Sequence, residues 1–148
     1  MRFFPCLLVL GACAPDPFTP PGLAPAASPF VGSWHVEALD ADGSRLKFPH
    51  AFAVGGAPAV MDMVFDADED GRGELASMTL IDGPADSHVE GARWTGTWEA
   101  TGAADFVFDA PGPGVPVQLA CGLEGDDLRC DADDGSSRSV LHLVRPGR

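Results

Sequence analysis

Acidic side chains alternate along one short stretch of the chain in a pattern that suits a divalent cation. Asp66, Asp68 and Asp70 place carboxylates at every second position, Gly71 follows them, and Glu74 adds another carboxylate. Calcium takes about six to eight oxygen ligands, and carboxylates spaced around a sharp glycine turn fit that crowded shell. Asp66, Asp68, Asp70 and Glu74 are therefore candidate calcium ligands, but Ser77 stands where a bidentate glutamate would complete the shell. We expect instead an acidic hairpin turn that faces water and holds no metal.

Two cysteines are spaced to form a disulfide across a β-hairpin. A two-residue loop at Gly125 and Asp126 would put Cys121 opposite Cys130, and glycine at the first loop position suits a type II′ turn. Counting outward from the closing pair makes this a non-hydrogen-bonded pair, the kind with the closer Cα atoms. We therefore predict a stabilising Cys121–Cys130 disulfide. The spacing is not Cys-x-x-Cys, so no redox role is predicted.

No arrangement of residues in the chain predicts catalysis. There is no Gly-x-Ser-x-Gly motif, no convincing Ser/His/Asp set and no catalytic cysteine, and the four histidines lie far apart. The carboxylate pairs sit in turns, where nothing would raise a pKa as general acid catalysis requires. We expect a protein that is not an enzyme and has no cofactor other than the calcium considered above.

The first 13 residues have the layout of a secretory signal. Arg2 supplies one positive charge, a short apolar run follows, and small residues lead to a cysteine. The apolar run is about half the roughly 20 residues that a membrane-spanning helix needs. The motif Leu10-Gly11-Ala12-Cys13 resembles the lipobox of bacterial lipoproteins. The alternative is a secretory signal that is cleaved nearby without lipidation.

The lipobox resemblance implies that residues 1–12 are a signal peptide and that Cys13 carries the lipid. It implies a lipoprotein of the bacterial cell envelope that faces the periplasm and touches the membrane through its anchor alone. In lipoproteins an Asp after the cysteine favours the inner membrane, so Ala14 favours the outer membrane. Two or more acyl chains would hold the protein stably on the bilayer.

Composition divides the remaining chain into a tether and one folded domain. Residues 13–29 contain six prolines and predict an extended, semi-rigid tether. Residues 30–148 then form the domain. The net charge of −13 repels nucleic acid and anionic lipid headgroups, so we expect neither as a partner.

The domain alternates between apolar and polar residues with the period of β-strands. Trp94, Gly96 and Trp98 alternate with polar neighbours, and no dozen residues keep a helical period without Gly or Pro. Eight or nine short strands separated by turns predict an all-β fold. We expect a small antiparallel up-and-down barrel of about eight strands, which closes its own edges.

The motif Gly32-Ser33-Trp34 near the start of the first strand, followed by a β-meander of this length, resembles the lipocalins. The resemblance implies that Arg145, just after the last strand, packs across the Trp34 ring in a cation–π contact. It also implies a non-catalytic, lipocalin-like protein that holds a small apolar ligand inside the barrel. The residues expected to line that site are Trp34, Trp94, Trp98 and Phe106.

A second function is compatible with the same sequence. Small lipid-anchored inhibitor barrels share this layout, so the domain could be a protein-interaction module, either an inhibitor of an envelope enzyme or an assembly accessory lipoprotein. A cavity of about 300 Å³ or more would favour the small apolar ligand. A packed interior would favour an envelope protein as partner. In both cases we expect a monomer.

Overall fold

The computed structural model describes residues 28–83, 86–111, 115–133 and 137–147. The predicted signal peptide (residues 1–12), Cys13 and nearly all of the predicted tether (residues 13–29) lie outside the described residues. In the described ranges the chain forms ten β-strands, and no helix there is long and apolar enough to cross a membrane. The strands are β1 (Gly32–Ala41), β2 (Ser44–Lys47), β3 (His50–Val54), β4 (Ala57–Ala67), β5 (Arg72–Asp82), β6 (Ser87–Ala100), β7 (Asp105–Ala110), β8 (Val117–Glu124), β9 (Asp127–Asp133) and β10 (Arg138–Val144).

Eight of these strands close into an antiparallel barrel. β1 pairs with β10 along one edge and with β4 along the other, and the meander from β4 to β10 supplies the remaining pairs. The all-β, up-and-down barrel of about eight strands predicted from the sequence is confirmed. Closure removes the open sheet edges of these strands wherever their neighbours are long enough to pair.

β2 and β3 are additional strands that fill the space where β1 and β4 diverge. The chain turns between them through a cis Phe48–Pro49 bond. β2 then pairs with the second half of β1, and β3 pairs with the first half of β4.

Side chains alternate between the barrel interior and the solvent, as strand geometry requires. On β1, Trp34, Val36 and Ala38 are buried, whereas Ser33 and Glu37, which alternate with them, are exposed. The same alternation on the other strands gathers one contiguous apolar core inside the barrel.

Aromatic rings fill one end of the interior. The Phe30 and Phe106 ring centroids are 4.8 Å apart, and those of Phe65 and Phe108 are 5.1 Å apart. Trp98 meets Phe106 edge-on at 5.8 Å. Such contacts add to the burial of large apolar surfaces. We call this end, where β1 begins, the closed end of the barrel.

Small residues allow β7 to approach β5 and β6 closely. Gly73 and Gly96 are opposite each other on β5 and β6. A Cβ atom at Gly96 would lie 1.9 Å from the carbonyl oxygen of Asp109, and one at Gly73 would lie 2.9 Å from the Phe108 ring. The tight packing of β7 therefore depends on the absence of side chains at both positions.

The predicted cysteine hairpin is present in the structure. β8 and β9 pair Glu124 with Asp127 around the two-residue loop and Cys121 with Cys130 farther along the strands. Gly125 has a φ of +71°, as the first position of a type II′ turn requires. The two sulfur atoms are bonded at 1.97 Å, and the Cα atoms are 4.0 Å apart. The predicted disulfide is therefore confirmed.

Four strands project beyond the rest of the barrel at the end opposite the closed end. β7 pairs with β6 only at residues 97–100, so residues 87–96 of β6 pair with β5 alone among the described strands. β3 likewise has β4 as its one sheet neighbour in the described chain. We call this projecting part the extension; it comprises β3, residues 57–62 of β4, residues 78–82 of β5 and residues 87–91 of β6.

Loss of the disulfide is expected to destabilise the domain. A Cys121→Ser/Cys130→Ser variant should lose about 2–3 kcal/mol of unfolding free energy, because a loop of about ten residues is no longer constrained in the unfolded state. Urea denaturation measures this difference. A reductant should lower the stability of the wild type and leave the double variant unchanged. A wild type indifferent to reductant would contradict the stabilising role.

Candidate functional site

Trp34 and Arg145 seal the closed end of the barrel together. The Trp34 side chain is 1% exposed, and its Nε1 donates a 2.8 Å hydrogen bond to the Phe30 carbonyl. The Arg145 guanidinium lies over the Trp34 ring, with Cζ 3.8 Å from the ring centroid. Its Nη1 and Nη2 donate to the carbonyls of Val31 and Pro29 at 3.0 and 2.6 Å. The predicted cation–π contact is confirmed, and it ties the segment before β1 to the end of β10.

Gly32 leaves the space that Arg145 occupies. A Cβ atom at Gly32 would lie 2.7 Å from Nη1 of Arg145, and the Gly32 φ of +116° strains any other residue. Burial lowers the pKa of Arg145 from its ordinary value, since loss of water disfavours the charged form. An arginine nevertheless stays protonated in proteins. The Trp34 ring and the two carbonyls therefore face a permanent positive charge.

The open end of the barrel has a shallow apolar depression. Its volume is about 190 Å³, which is below the roughly 300 Å³ at which small-molecule sites begin. It opens to solvent above the aromatic side chains that fill the closed end. The residues that line it include Leu39, Met63, Leu75, Trp94, Val117 and Leu141.

The structure divides the four predicted ligand-binding residues between the two ends of the barrel. Trp34 and Phe106 are buried in the core. Trp98 packs on Phe106 at the closed end, and its Nε1 donates a 2.9 Å hydrogen bond to the Asp68 carbonyl. Trp94 alone lines the open depression. Trp98 and Phe106 are therefore brought together, whereas Trp94 stands apart from both.

The acidic stretch forms the β4–β5 hairpin and its turn. Asp66 on β4 is opposite Glu74 on β5, while Asp68 and Asp70 are exposed in the turn between the strands. Asp66 accepts a hydrogen bond from the Ser33 hydroxyl. Glu74 accepts a 2.8 Å hydrogen bond from the Arg93 guanidinium on β6. Across the described ranges, no group of three or more His, Cys, Asp or Glu side chains is arranged to hold a metal ion.

The extension carries exposed apolar side chains that our sequence reasoning missed. Six of the seven large hydrophobic residues exposed in the described chain lie on β3 to β6. A signal for them exists in the sequence, because Val60-Met61 and Leu80-Ile81 put consecutive apolar residues inside strands that should alternate. Consecutive apolar residues place one apolar side chain on each face of a strand.

The fold and its site geometry define a small closed β-barrel with a filled interior, a shallow open end and an apolar extension. The chain matches no protein-family model, and comparisons with curated proteins and with solved structures found no match. Its function is therefore inferred from its own residues and their arrangement.

Replacing Arg145 with methionine is expected to destabilise the closed end. The change keeps a long side chain but removes the cation–π contact and two charged hydrogen bonds to backbone carbonyls, so about 2 kcal/mol of unfolding free energy should be lost. Arg138→Met is the matched control, because Arg138 is 90% exposed and its nearest ion-pair distance, to Asp133, is 3.7 Å. Its effect on chemical denaturation should stay within about 0.5 kcal/mol. Equal effects of the two variants would contradict the structural role of Arg145.

Calcium is expected to leave the thermal stability of the domain unchanged. Glu74 and Asp66 already have protein partners, and the turn carboxylates are spread in solvent, so the folded state offers calcium no preformed shell. Differential scanning calorimetry with millimolar calcium and with a chelator measures the melting temperature. A calcium-dependent rise that Asp68→Asn/Asp70→Asn abolishes would establish the calcium site considered from the sequence.

Proposed function

We propose that the protein is a non-catalytic binding protein of the bacterial cell envelope, and that its barrel binds another protein through its outer surface. A lipid on Cys13 holds it on the periplasmic side of the outer membrane, and residues 13–29 space the barrel from the bilayer. The lipobox motif and Ala14 support this location. The observation that carries the binding mode is the filled barrel interior.

The packing of the interior supports a partner outside the barrel. Phe30, Phe65, Phe106 and Phe108 occupy the space in which a barrel protein would hold a ligand, and all four are buried. The depression at the open end of the interior is about 190 Å³ and open to solvent. A site that buries most of a small molecule needs a larger concave volume. Larger concave regions, such as the one of about 500 Å³ beside Ser33, Val64 and Arg145, lie outside the apolar interior. The outer surface is therefore the part of the barrel with room for a partner.

A small apolar ligand is the second candidate, and the open depression favours it. Most of its lining is apolar, and Trp94 adds a flat aromatic surface on which a ring or an acyl chain could pack. In this case Trp94 is the ligand-binding residue. The lipocalin-like position of Gly32 and Trp34 supports the same candidate.

Native mass spectrometry of the full protein, extracted in detergent from its own envelope, tests the proposal. We expect a mature chain that begins at Cys13, carries acyl groups there and weighs two hydrogen atoms less than its reduced form. No small molecule should accompany it at a stoichiometric amount, because the interior is filled. Cys13→Ser is the matched control and should lack the mass of the acyl groups, because serine offers no thiol for lipidation.

Two results would overturn parts of this proposal. A stoichiometric small molecule that Trp94→Ala removes would establish the second candidate and identify its ligand. A wild type found without lipid in the soluble fraction would contradict the anchor. Photo-cross-linking from sites around the barrel in intact cells then tests for a protein partner, and the absence of cross-linked protein from every site would contradict the binding mode.

A further inference from the structure

The extension exposes apolar side chains to water on a domain whose outer surface is otherwise rich in charged residues. Its outer face presents Val60, Met78, Leu80 and Val89, which we call the apolar strip. Val60 is opposite Leu80, and Leu80 is opposite Val89, so three of these side chains form one row across three strands. Val89 is 65% exposed. Contiguous exposed apolar residues commonly mark an interaction site.

One edge of the extension, formed by β3, is also unprotected. β3 has the sequence His-Ala-Phe-Ala-Val, with no Lys, Arg, Asp or Glu, and its second edge is unpaired among the described strands. Natural proteins usually protect such edges with charged residues, as β2 does with Arg45 and Lys47. An uncharged edge beside an apolar face is a template for an added strand. The apolar strip spans β4 to β6 and includes no side chain of β3, so the segment that buries it lies across the outer face of the extension.

Charge indicates which kind of segment fits. The extension contains three carboxylates, Asp62, Asp82 and Glu90, and the chain has no Lys or Arg between Lys47 and Arg72 or between Arg72 and Arg93. Asp82 lies two residues beyond Leu80 on the same face of β5, and Glu90 directly follows Val89 on β6. A partner that buries the strip would bring its own flanking residues against these carboxylates. Lys or Arg at those flanks would be attracted, and Asp or Glu would be repelled.

We propose that the extension is the docking site for an extended apolar segment of another protein, flanked by Lys or Arg. This inference rests on the proposed function and names the surface and partner chemistry for it. A second copy of the chain fits poorly, because it carries the same acidic residues and a net charge of −13. The extension also lies at the far end of β4 from its pairing with Gly32, about 30 Å from where the tether enters.

Two synthetic peptides test the docking site directly. Both contain the core Val-Thr-Val-Thr-Val; one has two lysines at each end, and the other has two glutamates. Binding to the full chain carrying Cys13→Ser is measured by fluorescence anisotropy. The lysine-flanked peptide should bind at least about tenfold more tightly at low salt, and the difference should shrink in about 0.5 M salt because screening shortens the range of the attraction.

Matched variants locate the binding on the extension. Val60→Thr/Val89→Thr keeps side-chain shape, charge and strand propensity but makes the strip more polar. It should lower the affinity for the lysine-flanked peptide about fivefold or more. Val115→Thr is the control, because Val115 is 57% exposed outside the extension. Asp82→Asn/Glu90→Gln should remove most of the preference for lysine flanks. Glu99→Gln/Glu124→Gln makes the same charge change elsewhere and should leave the preference intact.

The outcomes separate this inference from the proposed function. Equal binding of the two peptides, or no effect of Val60→Thr/Val89→Thr, would overturn the docking site. A concentration-dependent dimer in sedimentation that the same double variant dissolves would make a second copy the occupant and would also overturn it. In that case, cross-links to envelope proteins from other faces of the barrel would still support a protein-binding function. A stoichiometric small molecule in mass spectrometry would instead contradict the protein-binding function itself.

Discussion

Closure of the barrel through β1 is the constraint on which the rest of the structure depends. β1 must pair with β10 on one side and with β4 on the other, and its pairing with β4 covers only residues 32–35. Trp34 and Arg145 act at this short junction, because the guanidinium packs on the indole and binds two carbonyls of the segment that enters β1. One cation–π contact thus joins the beginning of the barrel to its end.

The same junction explains why the interior is filled. The segment before β1 crosses the closed end and carries Phe30 into the core, where its ring meets Phe106 and Trp98. In a small barrel a few such rings occupy most of the enclosed volume. What remains of the interior is the shallow depression beside Trp94 at the open end.

Unequal strand lengths create the other functional feature. β6 has 14 residues and its neighbour β7 has six, so β6 and the strands beside it project beyond the barrel. The tether enters at the closed end, and the extension lies at the opposite end.

The sequence by itself determined the features that depend on local periodicity and counting. Alternation of apolar and polar residues indicated strands, and the two loop residues Gly125 and Asp126 fixed the pairing of Cys121 with Cys130. The resemblance of Gly32-Ser33-Trp34 to the lipocalins implied the contact of Trp34 with Arg145. Only the tertiary structure decided the split into β2 and β3, the size of the depression and the exposure of the extension. These three features depend on how far each strand extends beyond its neighbours and on how aromatic rings from distant strands pack in one volume. Periodicity along a single strand contains no information about either.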